Sequence, residues 1–299
     1  MERCTLVGHT GAVLGCAVGG GIVVSASDDS TLKVWNAETG MERFTLVGHT
    51  GAVLGCAVGG GIVVSASDDN TLKVWDLDTG MERFTLVGHS GAVFDCSLAN
   101  NIIVSASDDK TMKVWDLSNG VERATLTGHK RAVYSCAVSA NLLVSASNDK
   151  TLKVWDLDTL WEPRGDLFTA AYTDGVNGVD IGTNMIVCAL HDRTLRVWDT
   201  VTGNERLRLT GHTDWVRACA VNADVIVSAS DDQTLKVWDL KTGQERYMLI
   251  GHTNSVRACA VNADVIVSAS DDRTLKVWDL KTGQERFTLT GHTNSVLVP

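Results

Sequence analysis

Polar and apolar residues change over in short bursts along this chain, at strand spacing rather than helix spacing. Residues 42–46, Glu-Arg-Phe-Thr-Leu, alternate and predict a strand with one wet face. Residues 48–51, Gly-His-Thr-Gly, predict a turn. Residues 52–58 are small and apolar throughout, which predicts a strand covered on both faces. The glycines at 59–61 supply the positive φ of a tight hairpin. Residues 62–67 are β-branched and predict a third strand, Asp68-Asp69-Asn70 turns the chain, and 71–75 form a fourth. Asp78-Thr79-Gly80 closes the unit. Short turns between successive strands make an antiparallel meander, and a sheet apolar on both faces needs a neighbour on each side. Sheets stacked radially provide them.

The unit recurs. Trp35, Trp75, Trp115 and Trp155 stand forty residues apart, Trp198 comes three residues late, and Trp238 and Trp278 resume the spacing. Each lies in a Val-Trp-Asp or Val-Trp-Asn triplet, and a Gly-His pair precedes six of the seven. A period of this length marks a stacked or circular array in which one unit cannot bury its own apolar faces. The expected fold is therefore all-β, with residues 1–299 forming a single domain of seven repeats.

Composition narrows the function. Of 299 residues 44% are hydrophobic, yet no apolar run is long enough to span a membrane. The chain opens Met-Glu-Arg-Cys, without the basic start and apolar stretch of a signal peptide. A net charge of −10 argues against general nucleic-acid binding, which needs a basic face. Six of the eight cysteines, Cys16, Cys56, Cys96, Cys136, Cys219 and Cys259, hold one equivalent position, where the fifth repeat has Val179. Copies of one position on different units are too far apart to bridge, so these read as small buried residues in a reducing, cytoplasmic compartment. No Cys-x-x-Cys or His-x-x-x-His spacing occurs, and neither a metal nor a cofactor is expected.

Gly-His, then Ser-Ala-Ser-x-Asp, then Val-Trp-Asp resembles the WD40 family of β-propellers, over essentially the whole chain. The near-identical repeats resemble those of large bacterial multidomain proteins. The resemblance implies a seven-bladed β-propeller with four antiparallel strands per blade, closed by a terminal strand. It also implies a hydrogen-bonded tetrad in each blade: His9, Ser25, Asp29 and Trp35 in the first; His49, Ser65, Asp69 and Trp75 in the second; His89, Ser105, Asp109 and Trp115 in the third. His129, Ser145, Asp149 and Trp155 follow in the fourth, His212, Ser228, Asp232 and Trp238 in the sixth, and His252, Ser268, Asp272 and Trp278 in the seventh. An indole N–H, a hydroxyl, an imidazole and a carboxylate can satisfy one another in a chain when buried. The fifth blade departs, with Tyr172 for His and Cys188 for Ser beside Asp192 and Trp198, after an insertion at 161–164. Serine, histidine and aspartate in every repeat, each tied to a tryptophan, read as scaffold rather than as a hydrolase triad, so no catalytic residue is expected.

Function should then lie where residues vary on a fixed frame. Just before each turn aspartate stand Asp28, Asp68, Asp108, Asn148, His191, Asp231 and Asp271, five carboxylates in seven around one rim. Five residues beyond each His position stand Leu14, Leu54, Phe94, Tyr134, Asn177, Arg217 and Arg257. Trp215 interrupts a series of Ala, Gly and Ser two residues earlier. Aromatic residues and arginines at a rim are the usual anchors of protein interfaces. The expected function is a non-catalytic scaffold or sensor that binds a protein or peptide partner, with no nucleic-acid or membrane partner. Four other readings stand beside it: arginines merely paired with the rim aspartates, a cation held in the central channel by the acidic ring, a carbohydrate or small-ligand site, and an excised or engineered scaffold without its partner. Residues 1–40 and 41–80 differ only at 4/44, 30/70, 36/76, 37/77 and 38/78, which fits recent duplication or design.

One strand is surplus. The outer-strand pattern occurs at 2–6, 42–46, 82–86, 122–126, 205–209, 245–249 and 285–289, with a degenerate copy near 166–168. The family pattern implies that the N-terminal copy closes the ring, leaving 285–290 displaced and available for weak self-association.

Overall fold

The computed structural model describes residues 5–139, 142–157, 172 and 174–290. The first blade runs outward from Val13–Gly19 through Ile22–Ser27 and Thr31–Asn36 to Glu42–Val47. The same order recurs in seven sheets set in a ring, and no helix occurs among the described residues, hence none long and apolar enough to cross a membrane. In the fourth blade the described strands are the inner three, Val133–Ser139, Leu142–Ser147 and Leu152–Asp156. The insertion at 161–164 and the degenerate copy near 166–168 lie outside the described residues.

The core is divided among the blade interfaces. Seven apolar clusters each join two adjacent blades, as where Val24, Leu32 and Val34 of blade one meet Val53, Val63 and Trp75 of blade two. The second strand explains why: Ile22–Ser27 is buried at every position, so both of its faces need a neighbour. The inner strands line a central channel of about 450 Å³. They are sheet edges with unpaired backbone groups, and side chains clasp them across the gaps. Each repeated cysteine is buried with its Sγ 3.4–3.9 Å from a second-strand carbonyl oxygen of the preceding blade, as from Cys56 to Val24. Asp95 accepts from the Cys136 N–H at 3.0 Å and Asp180 from the Val221 N–H at 2.8 Å, each bridging to the next blade.

Blade seven corrects the expected closure. Its fourth position is held by the C-terminal copy, Glu285–Thr290, antiparallel to Thr274–Asp279, so 285–290 is not surplus. The N-terminal strand Thr5–Val7 is the extra one. It adds as a fifth strand parallel to Glu285–Thr290, with Thr5 opposite Thr288 and Leu6 opposite Leu289. Chain connectivity favours this arrangement: a short local turn brings the C-terminal copy to its place, so little loop-closure entropy is lost. Blades seven and one then close by apolar packing, with Val13, Val23 and Trp35 against Val265, Val267 and Val277, and by the Cys16 thiol 3.7 Å from the Val267 carbonyl oxygen.

Candidate functional site at the histidine rim

Six tetrads assemble, in blades one to four, six and seven. In blade two His49 Nδ1 donates to Asp69 at 2.8 Å, Ser65 Oγ stands 2.8 Å from His49 Nε2, and Trp75 Nε1 donates to Ser65 Oγ at 2.9 Å. The equivalent contacts in the others lie between 2.7 and 3.2 Å. Each aspartate also caps its own turn, as Asp69 does by accepting from the Thr71 hydroxyl and the Thr50 N–H. The hydroxyl of each tetrad serine is fully buried and both imidazole nitrogens are engaged, so no substrate carbonyl reaches the serine. The serine, histidine and aspartate of each tetrad are thus bonded to one another rather than presented to solvent.

The tetrads should make the fold acid-labile. Burial pushes the His49, His89 and His129 imidazoles below their ordinary 6.5, and hydrogen bonds to aspartate only partly offset it. Burial would raise the Asp69 and Asp149 carboxyls, but hydrogen bonds from threonine, backbone and histidine win and hold both at about 2. A histidine kept neutral when folded binds fewer protons than when unfolded, so its stabilisation falls away as pH drops below 6.5. The aspartates' share is lost as pH falls from 3.8 towards 2. Asp180, pushed up to about 6 by burial, has the opposite sign and favours the fold when protonated. Three tetrad histidines and six tetrad aspartates, against Asp95 and Asp180, make acid destabilising. The melting temperature should be flat from neutrality to about pH 8, below the ordinary thiol range, and fall steadily below pH 6.5. A melting temperature that rises on acidification to pH 5 contradicts this (about one and a half units below the ordinary histidine value).

Blade five replaces the tetrad. Tyr172 is buried with its hydroxyl 3.7 Å from Cys188 Sγ and its ring edge-on to Trp198. Asp192 turns instead to the guanidinium of Arg196 at 3.3 Å, which also reaches Glu205 at 3.0 Å.

The varied positions share one structural device. In every blade the inner strand carries a β-bulge between its first and third residues, as between Val13 and Gly15, so the extra residue is Leu14, Leu54, Phe94, Tyr134, Asn177, Arg217 or Arg257. A bulged residue leaves the ladder and re-aims its side chain. All seven line the central channel. Phe94 and Tyr134 meet edge to face at 5.4 Å.

The rim aspartates divide. Asp28, Asp68 and Asp108 are exposed on their turns. Asp231 and Asp271 are held by Arg217 at 2.6 and 2.8 Å and by Arg257 at 2.5 and 2.8 Å. The five carboxylates therefore do not form one acidic ring. The reason is the bulge, which aims each arginine at the turn of its own blade. Trp215 stands outside the channel lining, 41% exposed, stacked on His191 at 4.3 Å and 5° with the Arg217 guanidinium 4.9 Å from its ring. His191 Nε2 donates to Asn177 at 2.5 Å, and Asn177 donates to the Val216 carbonyl at 2.9 Å, which fixes the stack.

Sequence reading missed a second recurring set. Lys73 bonds Glu82 at 2.8 Å and Thr85 at 2.8 Å in blade two, and blades one, three and seven repeat it; Lys-x-Trp followed by Glu-x-x-Thr was the available signal. On the opposite rim Arg83, Arg123, Arg246 and Arg286 pair with Asp76, Asp116, Asp239 and Asp279.

Residues 96–297 match the family described as TEP-1 second beta-propeller, and residues 2–36 and 40–76 match WD domain, G-beta repeat. Among solved structures, the crystal structure of the computationally designed Ika8 protein is 34% identical, with 98% of this chain and 91% of that chain covered and a TM-score of 0.76. No curated protein matches significantly.

Proposed function

The chain belongs to the WD40-repeat β-propeller family, and from that premise we propose that it is a non-catalytic scaffold that binds a protein or peptide across its histidine rim. The observation that carries this reading is the set of bulged positions. Seven equivalent backbones hold seven side chains at the mouth of one channel, and those side chains differ while the tetrads beneath six of them do not. Leu14, Leu54, Phe94 and Tyr134 supply an apolar arc, and Trp215, already stacked, offers aromatic surface at little entropic cost. The exposed carboxylates Asp28, Asp68 and Asp108 flank the apolar arc.

A displayed peptide library panned against the chain should enrich binders that Trp215→Ala, or Arg217→Glu with Arg257→Glu, weakens by about tenfold or more. Lys241→Glu on the opposite rim should leave them unchanged. Binders that ignore the Trp215 and arginine variants remove this face from consideration. Near-identical repeats and likeness to a computationally designed protein favour a second reading, a scaffold detached from its partner. Panning that enriches nothing supports that one.

A further inference from the structure

The net charge of −10 hides a basic sector on the rim. Most cations elsewhere are held by carboxylates: the lysines beneath the tryptophans, the arginines of the outer strands, and Arg217 and Arg257 at the channel mouth. Lys110, Lys130, Arg131 and Arg193 are exposed, and among the described residues no carboxylate lies within ion-pairing distance of any of them. All four fall on the rim of blades three to five, together with exposed Lys150.

Local geometry puts them together. Lys130 and Arg131 sit on the loop that enters blade four, whose backbone is tied to the next turn by the Lys130 N–H to Asp149 at 2.8 Å and by Ser147 Oγ to the Arg131 carbonyl at 3.3 Å. Lys110, Lys150 and Arg193 each follow a turn aspartate with φ of 72, 71 and 69°. A glycine relaxes such a left-handed backbone, yet these three turns keep long cationic side chains there. The same sector has lost its acids. Asn148 and His191 stand where five other blades have aspartate, and Asp149 and Asp192 are occupied by their own turns. Asp108 and Asp174 are the remaining exposed carboxylates facing it. Blades one and two, by contrast, carry Asp28 and Asp68 with uncharged Ser30 and Asn70 beside them. The basic sector borders the Phe94–Tyr134 pair at the channel mouth.

Resting on the rim reading above, we propose that blades three to five receive an acidic peptide segment, its carboxylates on Lys110, Lys130, Arg131 and Arg193 and one apolar side chain against Phe94 and Tyr134. Charge complementarity selects this occupant. At physiological salt the screening length is about 8 Å, so the local cations outweigh the distant net negative charge once the peptide is near.

The test is fluorescence polarisation with a labelled peptide of glutamates flanking a single phenylalanine, and with counterparts in which every glutamate is glutamine or lysine. The glutamate peptide should bind about tenfold more tightly than the glutamine one, and lose about as much on Lys130→Glu with Arg131→Glu or in high salt. Lys241→Glu with Lys281→Glu, exposed on the opposite rim, should change its affinity less than about twofold. Thermal melts check that each variant is folded. Equal binding of glutamate and glutamine peptides, both lost on Tyr134→Ala, overturns the charge assignment and leaves the rim reading standing. Loss with the Lys241 pair equal to that with Lys130 and Arg131 overturns both, and no binding of any of the three peptides overturns the acidic-peptide proposal while the panning experiment decides the rim reading.

Discussion

Deleting residues 285–299 is expected to destabilise the propeller strongly, whereas deleting residues 1–7 leaves its melting temperature almost unchanged. The C-terminal copy is the fourth strand of blade seven, paired from Thr290 to Glu285 along Thr274–Asp279. Its Phe287 packs into the seam between blades seven and one. Its Glu285 and Thr288 hold the buried Lys276 at 2.9 and 2.6 Å. Losing a packed aromatic ring and leaving a lysine head without its partners should together cost about 3–5 kcal/mol. The freed N-terminal strand can slide into the vacated place, since it lies parallel beside it in matching register, and this would recover part of the loss. Removing Thr5–Val7 takes away only a fifth strand. Differential scanning fluorimetry of the two truncations decides. An unfolded 8–299 chain beside an intact 1–284 chain would show that the N-terminal strand closes the ring.

The second large effect is at the tetrads. His49→Ala should cost about 1–3 kcal/mol, because the buried Ser65 hydroxyl and the part-buried Asp69 carboxylate lose a shared partner. Trp75 keeps Ser65 as its acceptor and Asp69 keeps its turn contacts, so the ring survives. The variant should also lose part of the acid dependence, since His49 is one of the imidazoles held neutral by burial. Tyr172→Ala removes packing in blade five and should shift the melting curve equally at pH 5 and pH 8, on either side of the ordinary histidine pKa of about 6.5. Chemical denaturation at both pH values measures these effects. A thermally neutral His49→Ala shows that the tetrads do not carry stability.

What could be read from sequence follows from what repetition encodes. Seven recurring tryptophans, six with Gly-His upstream, mark strand and repeat number, and the resemblance to WD40 propellers supplies the tetrad partners, whose contacts lie within one repeat. Contacts across repeats leave weaker traces. The cysteine position was legible as buried, but its thiol-to-carbonyl clasp on the preceding blade depends on how blades abut. Asp95 and Asp180 look like stray acids in apolar strands until the next blade's N–H groups are in view. The bulge was invisible as well: the pairing of Arg217 and Arg257 with rim aspartates stood among the sequence readings and is found, but the register shift that aims them at Asp231 and Asp271 leaves no sequence trace. The closing strand was misjudged because two copies of one sequence compete for one place, and connectivity rather than pattern decides between them.

Partners are expected to engage the channel mouth and its rim. Hydrogen–deuterium exchange of the chain with and without a library-selected peptide measures this directly. Protection should gather at the loops and bulges around Leu14, Leu54, Phe94, Tyr134 and Trp215, while the turns around Asp76, Asp116 and Asp239 on the far side exchange at unchanged rates. Protection confined to those far turns, or to the outer strands such as Glu42–Val47, would contradict the claim.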